Sequence, residues 1–417
     1  MTRKEFMEQS LRMGVCLPFL PSFLLPTFGG ERSILPQFPW NFSGKVLVIG
    51  AGAAGLSAAY LLKQYGIDFL LIEAASVYGG RLKKINDFAD FPLDLGAEWI
   101  HTHPRVLSAI RNDPKARTPV EIMDYHPQTI KSWHAGKLNS HHFIRNFYRE
   151  WKFASTTWFD FFEQFIVPTI SDRLVLRAPV SEINYESKKV RVTTQAGEHY
   201  EADKVLLTSS IKTLQQQQIA FVPALPLAKT KAINRVYMGE GMKLFIEFRE
   251  RFYPDILVFD KLSRAMREEN KILYDAAFRK DSDKHILGLF AINEKALAYT
   301  QLKSEAAIVE KVLIELDGIF AGKASANYVK HVLQNWSEEP FIQGAYSYSF
   351  DGNRSRIVAE IKEPVRDRIY FAGEALSLDH QATVHGACES ARAAVAQLIE
   401  GPYDGNATGQ TAAAPDK

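Results

Sequence analysis

The sequence predicts an α/β fold: a Rossmann-like domain on a parallel sheet, joined to a second domain of the α+β kind. In residues 45–73 a glycine-rich turn links an apolar strand to an alanine-rich helix, as at the start of a βαβ unit. Residues 173–210 alternate polar and apolar positions, which is typical of strands joined by turns. Residues 241–335 contain further apolar strands and a strongly periodic helix. A chain of 417 residues is long enough for two such domains.

The first βαβ unit has the parts of a dinucleotide-binding fingerprint in the right order. A strand at residues 46–49 leads into a turn formed by Gly50, Gly52, Ala53, Ala54 and Gly55. The three glycines permit a tight turn, a close approach of the backbone to a pyrophosphate, and close packing of helix on strand. The helix N-terminus offers free N–H groups to phosphates. After a second strand, Glu73 stands where a carboxylate can accept from ribose hydroxyls.

A second glycine turn, Gly79-Gly80, follows six residues after Glu73. Glycines let the backbone approach a ligand closely, and the next residue, Arg81, can hold a phosphate through two hydrogen bonds. We therefore expect this turn to belong to the same nucleotide site.

Composition excludes several classes of function. A net charge of +2 gives no electrostatic reason to expect a nucleic acid partner. The two cysteines, Cys16 and Cys388, offer neither a disulfide framework nor a CxxC metal site. The histidines occur without cysteines or carboxylates at ligand spacing, so no metal site is predicted.

Residues 1–40 are expected to form a leader. Arg3 and Lys4 resemble a twin-arginine export signal with one arginine replaced, and residues 13–30 carry no charge. The prolines in that stretch disfavour a transmembrane helix. We expect export to the periplasm, with a cytoplasmic protein as the alternative. The polar tail at residues 401–417 is expected to be disordered.

Aromatic residues recur at near-helical spacing before the alternating region. They are Phe143, Phe147, Trp151, Trp158, Phe162 and Phe165. The spacing predicts one or two amphipathic helices that form core beneath a cap over the site. A dimer face or a contact with a membrane surface is the alternative.

Six sequence blocks, in this order, resemble the flavin-containing amine oxidase family of monoamine oxidases, polyamine oxidases and flavin-dependent histone demethylases. The blocks are GAGAAGLSAAYLL…LIEA…GGR, DLGAEWIH, APVSEI, MGEGMKLFIEF, NWSEEPFIQGAYSYSF and FAGEALS…ATVHGA, within roughly residues 43–103 and 173–397. The resemblance implies FAD as cofactor, with a small-molecule amine and O2 as reactants. It implies that hydride passes from the amine carbon to flavin N5, giving an imine, and that O2 is reduced to H2O2.

The resemblance also assigns residues to the cofactor. Those implied at its adenosine and diphosphate end are Gly50, Gly52, Ala53, Ala54, Gly55, Glu73, Gly80, Arg81 and Val180. Those implied at its ribityl chain and flavin ring are Gly96, Ala97, Trp99, Gly373, Glu374, Thr383 and Val384. Ala75 replaces an arginine that many relatives have near the adenosine, so one contact is expected to be missing. Ala345 occupies the place of the cysteine that bonds the flavin in monoamine oxidases, so the resemblance implies noncovalent FAD.

Three residues match the reaction centre of the family. Lys243 matches the lysine that a water bridges to flavin N5, and Trp336 and Tyr346 match aromatic residues beside the flavin. Aromatic faces there can flank a neutral amine or hold a cation. Glu98 and His101 stand where polyamine-type members place polar pocket residues, so the resemblance implies that they contact substrate.

The blocks also divide the chain into two predicted domains. The FAD-binding domain is expected to comprise residues 41–118, 171–226 and 339–400, and the substrate and cap domain residues 119–170 and 227–338. Only about 70 residues separate DLGAEWIH from RLVLRAPV. Relatives have a larger helical insert there, so the resemblance implies a shortened helical cap.

Two other functions stay open at this point. An FAD-dependent L-amino-acid oxidase or a desaturase-type relative would keep the cofactor and change the substrate. An amino-acid oxidase needs a cation for the carboxylate, and Arg105 or Arg145 could supply it. A non-catalytic flavin-binding protein is the third interpretation. A homodimer is compatible with all of them.

Overall fold

The computed structural model of the chain describes residues 42–113, 118–142, 150–260, 270–302 and 304–400. The expected leader and tail lie outside the described residues, as do Phe143 and Phe147 of the aromatic stripe. Within the described ranges, no helix combines the length and apolar character needed to cross a membrane.

A five-stranded parallel sheet forms the predicted Rossmann-like part of the fold. Its strands, in spatial order, are Ile369–Phe371, Lys204–Leu207, Lys45–Ile49, Asp68–Ile72 and Leu174–Val175. The central strand is buried along both faces, as expected for an apolar run in a parallel sheet. The first helix, Ala53–Gln64, follows the glycine turn. The predicted order of strand, turn, helix and strand is therefore confirmed.

A second, seven-stranded sheet is antiparallel except where Ile256–Phe259 pairs with Ile130–His134. Its spatial order is Tyr328–Asn335, Gly241–Phe248, His285–Ile292, Lys271–Asp275, Ile256–Phe259, Ile130–His134 and Lys137–Ser140. The strand Gly241–Phe248 is buried at every position, including Lys243. The predicted periodic helix, Glu305–Phe320, contributes its apolar face to the core of this sheet.

Smaller sheets connect these two layers. A four-stranded sheet has the order His199–Ala202, Val190–Thr194, Val180–Asn184 and Ala220–Val222. Two-stranded pairs join Val236–Met238 to Ser347–Phe350, Lys84–Ile85 to Leu93–Asp94, and Ile122–Tyr125 to Glu150–Phe153. Phe221 and Val222 extend the four-stranded sheet before Pro223 ends the ladder.

Short helices complete the described chain. They are Val106–Ile110, Trp158–Phe165, Val167–Ile170, Ile211–Gln215, Leu227–Asn234, Asn293–Thr300, Lys323–Asn327, Arg354–Lys362 and the closing helix Val384–Glu400, with 3₁₀ turns at Ser171–Arg173 and Glu374–Leu376.

The aromatic stripe is only partly helical. Trp158–Phe165 is a helix whose N-cap, Thr157, accepts from the backbone N–H of Asp160, and its aromatic residues pack with the first and closing helices. Trp151 instead lies in the strand Glu150–Phe153, so the helical prediction is wrong there. Within this strand, Lys152 and Phe153 are buried and Trp151 is only half-buried. Near-helical spacing of aromatic residues does not reveal this strand.

We predict that Gly55→Ala destabilises the Rossmann-like part of the fold. A Cβ at residue 55 would lie 1.8 Å from the carbonyl oxygen of Gly50, so helix and strand would have to separate. Denaturant unfolding should show a loss of about 1–3 kcal/mol or more, with less FAD retained on purification.

The matched control is Gly318→Ala in the helix Glu305–Phe320. A Cβ there meets nothing within 4 Å, so this change should stabilise the protein by roughly 0.5–1 kcal/mol. Equal unfolding midpoints for Gly55→Ala and the parent would contradict the packing role of Gly55.

Candidate active site

The two glycine turns pack against each other at the carboxyl end of the parallel sheet. The backbone N–H of Gly79 donates to the carbonyl of Ala51 at 2.7 Å, and Gly79 forms a short parallel bridge with Gly52. Gly80 has a φ of 58°, and a Cβ there would lie 3.4 Å from the Cα of Gly52. The structure therefore brings Gly52 and Gly80, both assigned to the diphosphate, into contact.

The first helix begins next to a buried carboxylate. It has no side-chain cap at Gly52 and no acidic residue in its first turn, which leaves its N–H groups available to an anion. Glu73 accepts from the backbone N–H groups of Ala51 at 2.6 Å and Ala75 at 2.8 Å. Burial raises the pKa of Glu73, and these hydrogen bonds oppose that shift. The uncapped helix start and the carboxylate fit the diphosphate and ribose of a dinucleotide.

Val180 follows a segment that is hydrogen-bonded to Glu73. The segment before it is tied to Glu73 because the backbone N–H of Ala178 donates to the carbonyl of Glu73 at 2.9 Å. Val180 then begins the strand Val180–Asn184 and is buried. This position agrees with its assignment to the adenine end.

Arg81 links the nucleotide end to the C-terminal segments. Its guanidinium donates to the carbonyl of Ala345 at 2.9 Å and to Glu374 at 3.0 Å. Glu374 also accepts from Ser347, through the backbone N–H at 3.0 Å and Oγ at 2.6 Å, and from the backbone N–H of Ala382 at 3.0 Å. The carboxylate that follows Gly373 therefore fixes the loop that leads into the closing helix.

Thr383 and Val384 start that closing helix. The side chain of Thr383 accepts from the backbone N–H of Gly386 at 3.0 Å, and its carbonyl accepts from that of Ala387 at 3.1 Å. Both residues are thus held at the start of a 17-residue helix that contacts the first helix.

Gly96 and Ala97 pass between Arg81 and Trp336. A Cβ on Gly96 would lie 1.8 Å from the carbonyl oxygen of Arg81 and 3.1 Å from the ring of Trp336. Ala97 donates its backbone N–H to that carbonyl at 3.2 Å, and Trp336 Nε1 donates to the carbonyl of Leu95 at 3.0 Å. These residues, assigned separately to the flavin, are therefore brought together.

Tyr346 contacts the strand that pairs with the strand carrying Lys243. Its ring is stacked on Phe290 with the ring centroids 6.3 Å apart. Phe290 pairs with Lys243 across the seven-stranded sheet. The predicted aromatic residues Trp336 and Tyr346 thus both lie near the segment that holds Lys243.

Lys243 is anchored by the DLGAEWIH segment. Its ammonium donates to the carbonyl of Asp94 at 2.8 Å and to Glu98 at 2.6 Å. Glu98 also accepts from the Tyr274 hydroxyl and forms an ion pair with Lys152. All of these side chains are buried. The two residues expected at the reaction centre and substrate pocket, Lys243 and Glu98, are therefore direct partners.

The pKa values of the two carboxyl groups of this segment are shifted in opposite directions. Burial favours the neutral form of Glu98, but Lys152 and Lys243 outweigh it and hold the pKa of Glu98 well below its usual range. Burial raises the pKa of Asp94 to about 8, and the charge of Glu98 adds to this rise. Asp94 Oδ1 has no hydrogen-bond partner among the described residues. The two lysines therefore favour the charged form of Glu98, whereas burial favours the protonated form of Asp94.

His101 does not join this cluster in the structure. Its side chain is exposed and its Nδ1 lies 3.4 Å from Glu150. Arg105, considered above as a carboxylate anchor, is also exposed, and Arg145 lies outside the described residues.

Sequence reasoning missed Lys152, Asp94 and Tyr274 as members of the site. Lys152 belongs to the misassigned aromatic stripe, and Tyr274 is one aromatic residue of an ordinary buried strand. Asp94 is the first residue of the DLGAEWIH block, two residues before Gly96. Of the three residues, it is the one that the sequence could have indicated, because it lies so close to a residue assigned to the flavin.

Comparisons with known proteins agree with this geometry. A family model described as flavin containing amine oxidoreductase matches residues 164–399, which is more than half of the chain. A model described as an NAD(P)-binding Rossmann-like domain matches residues 48–112.

Curated relatives include histone demethylases and polyamine oxidases. Lysine-specific histone demethylase 2 of Homo sapiens is 24% identical over 444 residues, covering 86% of this chain and 53% of that protein. Polyamine oxidase 1 of Zea mays is 24% identical over 442 residues, covering 82% of this chain and 88% of that protein. The chain thus spans about half the length of the histone demethylases that it matches.

Solved structures share the fold. Putrescine oxidase bound to putrescine has a TM-score of 0.70 at 17% identity, covering 86% of this chain and 99% of that chain. Cyclohexylamine oxidase from Brevibacterium oxydans has a TM-score of 0.71 at 17% identity, with the same coverage. With the family model matching residues 164–399 and the nucleotide turns in place, the chain belongs to the flavin-containing amine oxidoreductase family, and its cofactor is FAD.

Proposed function

We propose that this chain is an FAD-dependent amine oxidase that converts an amine and O2 to an imine and H2O2. The observation that carries the proposal is the buried contact of Lys243 with Glu98 and the carbonyl of Asp94, beside Gly96 and Trp336. Through this contact the Lys243 ammonium lies next to aromatic side chains. The segment that binds it also donates a hydrogen bond, from Ala97, to the carbonyl of Arg81 at the nucleotide end.

The cofactor would be held along its whole length by residues that the structure brings together. Gly52, Gly80 and the first helix would hold its diphosphate, and Glu73 its ribose. The chemistry that FAD supplies when bound is acceptance of a hydride from the amine carbon, which leaves an imine, and reduction of O2 to H2O2.

The residues of the chain prepare the amine and the reacting surface. An alkylammonium has no lone pair, so the substrate must lose its proton before hydride can leave. Lys243 and Lys152 share the single charged carboxylate of Glu98, and this positive surplus favours the neutral amine over its ammonium form. Trp336 is buried and Tyr346 half-buried beside this cluster, where their rings would flank the amine and restrict water.

We test the function with purified protein that retains its yellow colour. A panel of amines and amino acids is screened for peroxide, and anaerobic mixing with each amine is monitored by flavin absorbance. Peroxide formation with an amine and bleaching of the flavin are expected. Folded yellow protein that gives neither result with any amine would contradict the proposal and favour a non-catalytic flavin-binding protein.

We predict that Lys243→Met lowers kcat/KM for the amine by about 10²-fold or more, because the cation nearest the reacting surface is removed. Steady-state peroxide release, corrected for bound FAD, measures this loss. The control is Lys330→Met in the adjacent strand, where the ammonium is half-exposed and bonds Phe88 and Glu247. A Lys243→Met variant that oxidises amine as fast as the parent would remove Lys243 from the mechanism.

We predict that the FAD is noncovalent. Ala345 offers no nucleophile at the position of the family cysteine. Cys388, the one cysteine among the described residues, lies against the carbonyl of Ala53, and burial raises its pKa to about 12. Precipitation with acid should therefore release the yellow chromophore into the supernatant. Chromophore that stays in the pellet after washing would show a covalent bond instead.

We predict that Asp94→Asn stabilises the protein most at alkaline pH. Folded Asp94 keeps its proton up to about pH 8, whereas an unfolded aspartate ionises near pH 3.8. The folded state binds the extra proton between these values, so the free energy of unfolding of the parent falls as pH rises through this window. Asparagine binds no such proton. The advantage of the variant should therefore grow by a few kcal/mol between pH 5 and pH 8 and then level off.

Denaturant unfolding of the FAD-loaded proteins at both pH values measures this difference. Asp283→Asn, at an exposed carboxylate, is the control and should show no growing advantage. An Asp94→Asn effect that is the same at pH 5 and pH 8 would mean that Asp94 is ionised in the folded protein.

A further inference from the structure

The ammonium of Lys152 lies inside a box of aromatic rings. It is 4.6 Å from the ring centroid of Trp99, 5.1 Å from that of Tyr125 and 5.2 Å from that of Tyr274. The Trp99 ring meets the other two edge-on, at interplanar angles of 82° and 63°. The ion pair with Glu98 adds a carboxylate to this box. Three aromatic rings and a buried carboxylate are what proteins use to bind alkylammonium ligands.

The box adjoins the proposed reaction centre. Glu98 contacts Lys152 through Oε1 and Lys243 through Oε2, so one carboxylate separates the two ammonium groups. Trp99, assigned to the flavin, is partly exposed, whereas Tyr125 and Tyr274 are fully buried. The accessible side of the box is therefore the one that Trp99 forms.

Local backbone pairing brings Lys152 to this position. The strand Glu150–Phe153 pairs with Ile122–Tyr125 on one side and with Ile100 on the other, where the Ile100 N–H donates to the Trp151 carbonyl at 2.8 Å. The strand is thus fixed beside Glu98 and Trp99, and only 3% of the Lys152 side chain is exposed. Lys152 is a built-in occupant of the box and not a surface lysine.

We propose that Lys152 is a specificity residue that fills the ammonium position of the pocket and excludes amines carrying a second positive charge. The inference rests on the proposed amine oxidase function and names its substrate class as monoamines with an uncharged remainder. A diamine would bring its distal ammonium next to Lys152 and Lys243, and the one charged carboxylate is already shared between them. An apolar remainder brings no second positive charge to this cluster.

The test compares n-hexylamine with 1,6-diaminohexane, which differ by one terminal amine. The parent should show a kcat/KM at least tenfold higher for the monoamine. Lys152→Ala empties the box and frees one oxygen of Glu98, so the ratio of diamine to monoamine kcat/KM should rise about tenfold or more. The ratio of the two kcat/KM values does not depend on the fraction of active protein, because both values are measured on the same preparation.

Two control variants separate the possible causes. Lys152→Met removes the charge but keeps the box filled, so its ratio should rise less than that of Lys152→Ala. Lys330→Met removes a half-exposed ammonium, which donates to the carbonyl of Phe88 and pairs with Glu247 and not with Glu98, and should keep the ratio of the parent. A parent that prefers the diamine, or a Lys152→Ala ratio equal to that of the parent, would overturn the proposal.

A binding measurement tests the box without turnover. Tetramethylammonium should raise the Tm of Lys152→Ala, in which the box is open, and leave that of the parent unchanged. Retained FAD and far-ultraviolet circular dichroism establish that the variant is folded. A folded Lys152→Ala variant without this Tm shift would overturn the assignment of the box. A parent that oxidises no amine of the whole panel would contradict the proposed function, and tetramethylammonium binding would still test the assignment of the box.

Discussion

The buried carboxylate of Glu98 is the interaction on which the site depends. Its partners come from three distant segments: Lys152 from a two-stranded pair, and Lys243 and Tyr274 from separate strands of the seven-stranded sheet. Burying a charge costs several kcal/mol unless it is paired and hydrogen-bonded, and removing one partner of a buried pair typically costs about 3–5 kcal/mol. The DLGAEWIH segment can therefore be buried only when the second sheet and the strand Glu150–Phe153 are both in place. Assembly of the pocket and burial of this charge are one event.

A second ion pair, between Arg81 and Glu374, joins the N-terminal glycine turns to the C-terminal segments. Arg81 follows the second glycine turn, and its partner Glu374 lies 293 residues later, after the last strand of the parallel sheet. Glu374 also holds Ser347 and Ala382, so the segments assigned to the flavin ring are fixed relative to the turns assigned to the diphosphate. A long cofactor needs such a link because its two ends are bound by parts of the chain that fold from different elements. Glu98 holds together the residues assigned to the reaction centre, and Arg81 fixes their position relative to the nucleotide end.

Local patterns predicted the parts of the molecule that depend on local physics. The glycine turn, the buried strand Lys45–Ile49 and the capped helix Glu305–Phe320 are determined by residues within a few positions of each other. Lys243 and Glu98 were identified one by one through resemblance, but their contact was not, because they are 145 residues apart. Trp151 was placed in a helix since aromatic spacing ignores pairing, and the pairing partners Ile100 and Asp124 are remote in sequence. The same error hid Lys152, whose role exists only when that strand is formed.

The expected shortening of the cap gives this error its significance. Relatives are expected to shape the substrate pocket with a larger helical insert, whereas here a four-residue strand reaches the proposed reaction centre. A strand of four residues is too short to line a whole pocket, but it can bring one long side chain, that of Lys152, to Glu98. Lys152 spans from the backbone of the strand to Glu98, and the rings of Trp99, Tyr125 and Tyr274 stabilise its charge. One lysine then supplies both the counter-charge that Glu98 needs for burial and the positive charge that a second substrate ammonium would meet. Stability and specificity are therefore coupled at this residue, and a change that widens the pocket also unbalances the buried charge.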